Sequence, residues 1–135
     1  MENKKNVVER RVYYHDTDHA GVVYYANYFK WFEIGRAELL RQEGISYAAL
    51  EKNGLIAPVA EAQCTYKTPA VYDETVCITT WIGKIGNSSV HFKYRITKKG
   101  SDVLVAEGST VNVFIDVKKR NPVNVPKEMR VRFSK

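Results

Sequence analysis

Between Tyr28 and Leu40 the apolar residues Tyr28, Phe29, Trp31, Phe32, Ile34, Ala37, Leu39 and Leu40 recur at helical spacing, and Lys30, Glu33 and Arg41 leave only a thin polar edge. Asn27 as N-cap and Gly44 as C′ residue bound a helix over residues 28–43, expected to be mostly buried. A short second helix, capped by Ser46, is predicted over 47–52 and stops at Asn53-Gly54. Upstream, the valine- and tyrosine-rich residues 7–14 predict a first strand. After Gly54 the period falls to two and stays there almost to the end, which predicts sheet throughout. Residues 57–67 form one strand, with the small side chains of Ala60, Ala62 and Cys64, and Tyr66, facing a closely packed helix. A turn over 69–73 follows. Val76 to Ile82, Val90 to Ile96 and residues 103–116 are the remaining strands, joined by turns at Gly86-Asn87 and Lys99-Gly100-Ser101, with a bulge or bend expected at Gly108.

One long apolar helix and a run of antiparallel strands have few packing solutions, because the sheet must cover the helix. The expected fold is α+β: a single domain over 1–135, with the central helix wrapped by a curved antiparallel sheet of about five strands. One such sheet leaves an edge and part of the helix uncovered, so a dimer with two sheets side by side is expected. Glu61 falls on a strand expected to be buried and needs a partner, for which Arg36 is the candidate. Glu33 and Arg36, three apart on the helix, suit an ion pair.

Composition changes this picture little: 44% apolar and 27% charged residues are those of an ordinary globular chain and exclude disordered or collagen-like classes. No apolar run approaches bilayer length and the N-terminus lacks a signal-peptide core, so no integral membrane association is expected and cytoplasm is the default compartment. The two cysteines, Cys64 and Cys77, match no zinc spacing and are expected as reduced thiols. The net charge of +6 points to an anionic partner. Its densest cluster is Lys118-Lys119-Arg120; Lys98-Lys99 and a tail of Lys127, Arg130, Arg132 and Lys135 add to it. None is interleaved with the aromatic residues on which single-strand binders stack bases, so nucleic acid is disfavoured, and a phosphorylated small molecule or an acidic carrier protein fits as well.

The candidate chemistry lies between first strand and helix, in His15-Asp16-Thr17-Asp18-His19-Ala20-Gly21. A loop there can aim a carboxylate at a ligand over the helix N-terminus, where unpaired N–H groups and the macrodipole favour a developing negative charge. That is the ground plan of a small hydrolase. On composition alone an Asx-turn or a helix cap is the better reading of Asp18. Asp16, nearer the strand end, suits a structural role on loop amides. His15 and His19 flank the carboxylates in the order His-x-x-Asp-His, but only His91 is left elsewhere to complete a metal site, so no metal is assigned.

Asp16-x-Asp18-x-x-Gly21-x-Val23-x-Tyr25-x-x-Tyr28, then Phe32-Glu33 and Arg36, then Tyr66-Lys67-Thr68-Pro69 and Tyr72-Asp73-Glu74, resemble the 4-hydroxybenzoyl-CoA thioesterase family of hot-dog-fold proteins over nearly the whole chain. The resemblance implies hydrolysis of an acyl-CoA thioester to acid and CoA without a cofactor, in a dimer or a dimer of dimers with active sites at the subunit interface. It places the catalytic carboxylate on Asp18, as general base or nucleophile, and the oxyanion at the backbone N–H of Tyr25. Gly21, Val22, Tyr24 and Tyr28 are the matching substrate-side positions, and a basic loop similarly placed assigns the CoA phosphates to Lys118, Lys119 and Arg120. The overall text is similar to the Tol-Pal-associated bacterial group, which has histidine at position 25; Tyr25 is shared with the 4-hydroxybenzoyl-CoA group, so the acyl group stays open. A rival reading is a hot-dog module that binds acyl thioesters or an acyl carrier protein without turnover.

Overall fold

The computed structural model describes residues 4–134. Strand β1 (Lys5–Arg11) runs into a 3-10 turn (Tyr14–Asp16) and a loop that feeds α1 (Asn27–Gln42). Helix α2 (Tyr47–Lys52) follows, then β2 (Leu55–Ile56), β3 (Val59–Tyr66), β4 (Thr75–Ile85), β5 (Ser89–Lys98), β6 (Leu104–Val113), β7 (Ile115–Asp116) and α3 (Lys127–Phe133). Five strands form one antiparallel sheet in the order β1-β4-β5-β6-β3, and β2 pairs with β7 in a separate ribbon. With α1 packed on one face of that sheet, chiefly against β4 and β1, this is the expected hot-dog arrangement.

Alternation builds the sheet side of the core: Val76, Ile78, Thr80 and Ile82 on β4 and Val90, Phe92, Tyr94 and Ile96 on β5 are buried. The helix answers with Tyr28, Trp31, Phe32, Gly35, Arg36, Leu39 and Leu40. Those positions are a single stripe of 3.6-residue period, narrower than the nearly all-round burial expected, and Phe29 and Ile34 are only half-buried beside it. Two glycines let α1 lie close. A Cβ on Gly35 would run into Thr80 Oγ1, and one on Gly108 would run into the Gln63 carbonyl oxygen and come within 2.8 Å of the Phe32 ring. The Phe32 ring stacks on Tyr94 at 4.1 Å between centroids.

Several expectations are corrected. The first strand stops at Arg11, because the chain beyond Val12 curls into the 3-10 turn. The helix starts at Asn27 with Ala26 in the cap position, and no side chain caps it. Gly108 is no bulge: the ladder runs through it in register with both neighbours, and its missing side chain makes room for Phe32. The registers shift instead at Val59/Glu61, Ile82/Lys84 and Ile96/Thr97. Residues 103–116 are not one strand, since the chain leaves the main sheet at Phe114 and its end joins β2. The end of the chain is not sheet either, because α3 buries Met129 and leaves Val131 63% exposed.

Strand β3 lies at the sheet edge, so Ala60, Ala62 and Tyr66 are exposed and only Cys64 packs against the core. Glu61 is exposed as well and needs no buried partner, and Arg36 points its guanidinium at the Tyr94 hydroxyl, 3.5 Å away. Glu33 forms no ion pair with it among the described residues. Cys64 on β3 and Cys77 on β4 are unbridged, with β5 and β6 between them. Three strand spacings, roughly 14 Å, exceed disulfide reach. Lys135, counted with the basic tail, lies outside the described residues.

Gly108→Ala tests the helix seat. The added methyl meets backbone on one side and an aromatic ring on the other, so unfolding in urea is expected at a lower midpoint, with a loss of about 1–3 kcal/mol.

Candidate active site

The loop between β1 and α1 is held by Asp16, whose carboxylate is 5% exposed. The Tyr13 N–H donates to its Oδ2 at 2.8 Å, and Arg10 and His15 approach Oδ1 at 3.3 and 3.4 Å. Its carbonyl oxygen faces the other way and accepts from the Tyr24 N–H and from Asn27 Nδ2, each at 2.8 Å. Asn27, expected as a cap on its own helix, therefore ties the helix start to the loop. Val23 N–H donates to the Ala70 carbonyl at 2.9 Å, which pins the loop to the segment after β3.

Asp18 lies at the tip of this loop and is exposed. Its carbonyl accepts from Gly21 N–H at 3.0 Å and its Oδ1 from Ala20 N–H at 2.8 Å, a tight turn that Gly21 completes at φ +80°. Oδ2 accepts no hydrogen bond among the described residues. The carboxylate borders a cavity of about 260 Å³ whose lining also includes Val22, Tyr25, Tyr28, Tyr66 and Lys67. Tyr25 and Ala26 form the turn just before α1, and their N–H groups donate to no carbonyl among the described residues. The loop and helix start thus supply a carboxylate oxygen without a hydrogen bond and free N–H donors near the positive end of a 16-residue helix.

Tyr24, Tyr28 and Tyr66 are kept neutral. Burial pushes Tyr28 up to about 12 and, with Cys64 adding to it, pushes Tyr66 up to about 12. Hydrogen bonding to the Tyr25 hydroxyl, more than burial or the Asp18 charge, raises Tyr24 above its ordinary value. Among these lining groups Asp18 is the only carboxylate.

Of the residues singled out from sequence, Asp18, Val22, Tyr25 and Tyr28 share this cavity. Gly21 shapes the turn behind it, and the exposed Tyr24 ring stands outside the lining, 4.8 Å from the Tyr25 ring. Lys118, Lys119 and Arg120 do not join it within one protomer; they form an exposed turn after β7, next to Gly54. Lys118 and Lys119 N–H groups donate to Asp116 Oδ1 at 2.9 and 2.8 Å, which leaves the three cationic side chains facing outward. Sequence reasoning did not place Tyr66 in the site, although its hydroxyl donates to the Tyr25 carbonyl at 2.9 Å and fixes the turn that presents the N–H. Its only signal was its place in the Tyr66-Lys67-Thr68-Pro69 block. His19 is exposed and His91 half-buried, and no group of three or more His, Cys, Asp or Glu side chains among the described residues is placed to hold a metal.

The profile of the thioesterase-like superfamily matches residues 12–133. The chain is similar to the acyl-CoA thioester hydrolase YbgC of Escherichia coli, 34% identical over 123 residues that cover 91% of each chain. It is also similar to the acyl-CoA thioesterase YbgC of Haemophilus influenzae, 33% identical over 91% of this chain and 90% of that one. Among solved structures, a DHNA-CoA thioesterase from Staphylococcus aureus superposes with a TM-score of 0.85 at 33% identity, covering 89% of this chain and 80% of that one.

Asp16→Asn removes the charge that Arg10 and the Tyr13 N–H meet, while keeping the shape. Thermal or urea unfolding is expected to show a loss of roughly 0.5–2 kcal/mol.

Proposed function

Because the chain belongs to the thioesterase-like superfamily, we propose that it is an acyl-CoA thioesterase that hydrolyses the thioester to a free acid and CoA, with Asp18 as the reacting carboxylate. The observation that carries this assignment is that Asp18, with one carboxylate oxygen free, and Tyr25, whose N–H is unpaired among the described residues, line the same cavity. In one route Asp18 takes a proton from water as the oxygen adds to the carbonyl. In the other it adds directly, and water cleaves the resulting anhydride. Either way the carbonyl π electrons move onto oxygen, where the Tyr25 N–H and the helix end stabilise the charge, and the C–S bond then breaks with thiolate as leaving group. CoA thiolate leaves readily, and neutral Tyr28 offers a hydroxyl donor, not a base, while the Tyr66 hydroxyl is already given to the Tyr25 carbonyl.

The proposal extends to a homodimer, alone or paired again in a tetramer, working in the cytoplasm. Support comes from β3, an edge strand exposed along nearly its whole length whose only charged side chain is Glu61. The opposite edge, β1, carries Lys5, Glu9, Arg10 and Arg11, the kind of charge that discourages pairing. Two copies of β3 paired antiparallel bring the Tyr66 end of one against the Val59 end of the other, so the Asp18 cavity falls at the junction. In that arrangement Lys118, Lys119 and Arg120 of the second copy are assigned to the CoA phosphates, and Gly21, Val22, Tyr24 and Tyr28 to the substrate side. An acyl carrier protein is the alternative carrier. The rival reading, a module that binds acyl thioesters without turnover, is separated by the same assay as the catalytic assignment.

That assay is thiol release over a panel of acyl-CoAs. Asp18→Asn keeps the Asx-turn acceptor but neither takes a proton nor attacks a carbonyl, so turnover is expected to fall at least about a hundredfold with folding intact. Asp16→Asn, compared at equal folded concentration, loses less; the opposite order, or a wild type that binds without releasing thiol, overturns the assignment. Light scattering is expected to give at least twice the 15.5 kDa protomer mass at micromolar concentration, and a folded monomer there removes the interface site.

A further inference from the structure

A second cavity, of about 360 Å³, shares no lining residue with the Asp18 site. It lies under α2 and the β2–β7 ribbon, and Arg36, which borders it, is eight residues from Tyr28, about 12 Å along α1. Leu50, Leu55, Ile56 and Phe114 make its walls largely apolar, and its size is that of a small-ligand pocket. Two polar groups break this pattern.

The first is Arg36, 9% exposed. Its guanidinium has five N–H donors and a full charge, and it meets no carboxylate within 4 Å among the described residues. Glu33 and Glu51 stand in the same lining but are exposed. What it does meet is neutral: the Tyr94 hydroxyl at a long 3.5 Å, itself bonded to Thr110 Oγ1 at 2.6 Å, and the Tyr47 hydroxyl. Burial pushes Tyr47 up to about 12 and raises Tyr94 despite the lowering pull of Arg36, so neither supplies a counter-charge near neutral pH. A buried cation without a counter-ion is costly, which makes the pocket a place where an anion is stabilised.

The second is Asn112, 1% exposed. Its Nδ2 donates to the Ala57 carbonyl at 2.9 Å, which fixes the amide orientation, and its Oδ1 has no partner. The pocket therefore holds a cationic donor without a counter-charge and, in Asn112 Oδ1, a neutral acceptor without a partner, in a largely apolar surround. We propose that it binds the carboxylate of a small, mainly apolar acid through Arg36, with a hydroxyl of the same ligand donating to Asn112 Oδ1. Two sources present that chemistry: a free carboxylic acid, and an acyl-CoA whose acyl chain ends in a carboxylate.

Calorimetric titration of the full chain tests the site without reference to turnover, so its failure is distinct from failure of the thioesterase reading. The probes are benzoate, its three hydroxylated isomers and the uncharged benzyl alcohol. Benzoate is expected to bind at least tenfold more tightly than benzyl alcohol, and at least one hydroxybenzoate more tightly than benzoate. Arg36→Gln should erase the preference for the anion. Because that variant can fail to fold, Ala37→Phe, placed on a half-buried position of the same lining, provides a second block and should abolish benzoate binding. Equal affinity for benzoate and benzyl alcohol, or benzoate binding unchanged in Ala37→Phe, overturns the proposal. Comparing adipoyl-CoA with hexanoyl-CoA then identifies the source. A preference for adipoyl-CoA that Ala37→Phe removes supports the acyl-borne carboxylate, and benzoate binding without that preference supports the free acid.

Discussion

A single buried carboxylate holds strand, loop and helix in one geometry. Asp16 accepts the Tyr13 N–H and meets Arg10 on its side-chain oxygens, which fastens it to the end of β1. Its carbonyl takes the Tyr24 N–H and the Asn27 amide, which fastens it to the start of α1. A side chain and a main chain belonging to one residue thus set the distance between two elements that would otherwise be joined by a flexible connection. Arg10 matters because a buried carboxylate left without a cation would be expensive, and here the guanidinium lies 3.3 Å away and itself sits over the Trp31 ring.

The seat of α1 on the sheet is the second constraint. Gly35 over Thr80 and Gly108 under Phe32 permit contacts that a Cβ at either position would block, and Phe32 stacked on Tyr94 fills the space they create. Helix position then determines where its first N–H groups point. Tyr66, at the last position of β3, closes the arrangement by bonding the Tyr25 carbonyl, so the turn that opens the helix is fixed from the loop, the sheet and the helix at once. A site with three independent anchors holds its donors in place before any ligand arrives, which is the condition for electrostatic stabilisation at little reorganisation cost.

Much of this was legible in the sequence, and what was not has physical causes. The helix ends fell within one residue of Asn27 and Gln42, and the alternation on β4 and β5 matched the buried residues, because both elements are governed by one-sided burial. Asn27 was misplaced as a cap because a polar residue at a helix start has two possible customers, the helix amides and a neighbouring loop, and only tertiary structure decides between them. Residues 127–133 alternate Met129, Val131 and Phe133, the signature of a strand, yet they form a helix in which Met129 and Phe133 share a face and Val131 is left in solvent. Glu61 looked buried since its strand neighbours are small and apolar; an edge strand carries the same residues for a different reason, so composition does not distinguish a covered face from an uncovered edge. That Arg36 lacks a counter-charge and Asn112 Oδ1 a partner was beyond reach, as such an absence is a property of three-dimensional surroundings.

The competing roles weighed for Asp18 turn out not to compete. A loop aspartate that makes an Asx-turn and one that faces a ligand are usually alternatives, yet here the turn employs only Oδ1, on the Ala20 N–H. That bond removes rotational freedom from the carboxylate and leaves Oδ2 with open lone pairs, aimed by the same geometry that satisfies the backbone. Asp16, two residues earlier, has both oxygens engaged and is 5% exposed, so it has nothing left to offer a ligand. The division follows from where the chain turns. Before the 3-10 turn ends, a carboxylate faces inward toward the strand terminus; after it, with Gly21 at positive φ folding the chain back, a carboxylate faces the cavity. Identical side chains in one short loop thereby acquire opposite surroundings, and the backbone path between them, not their chemistry, decides which is which.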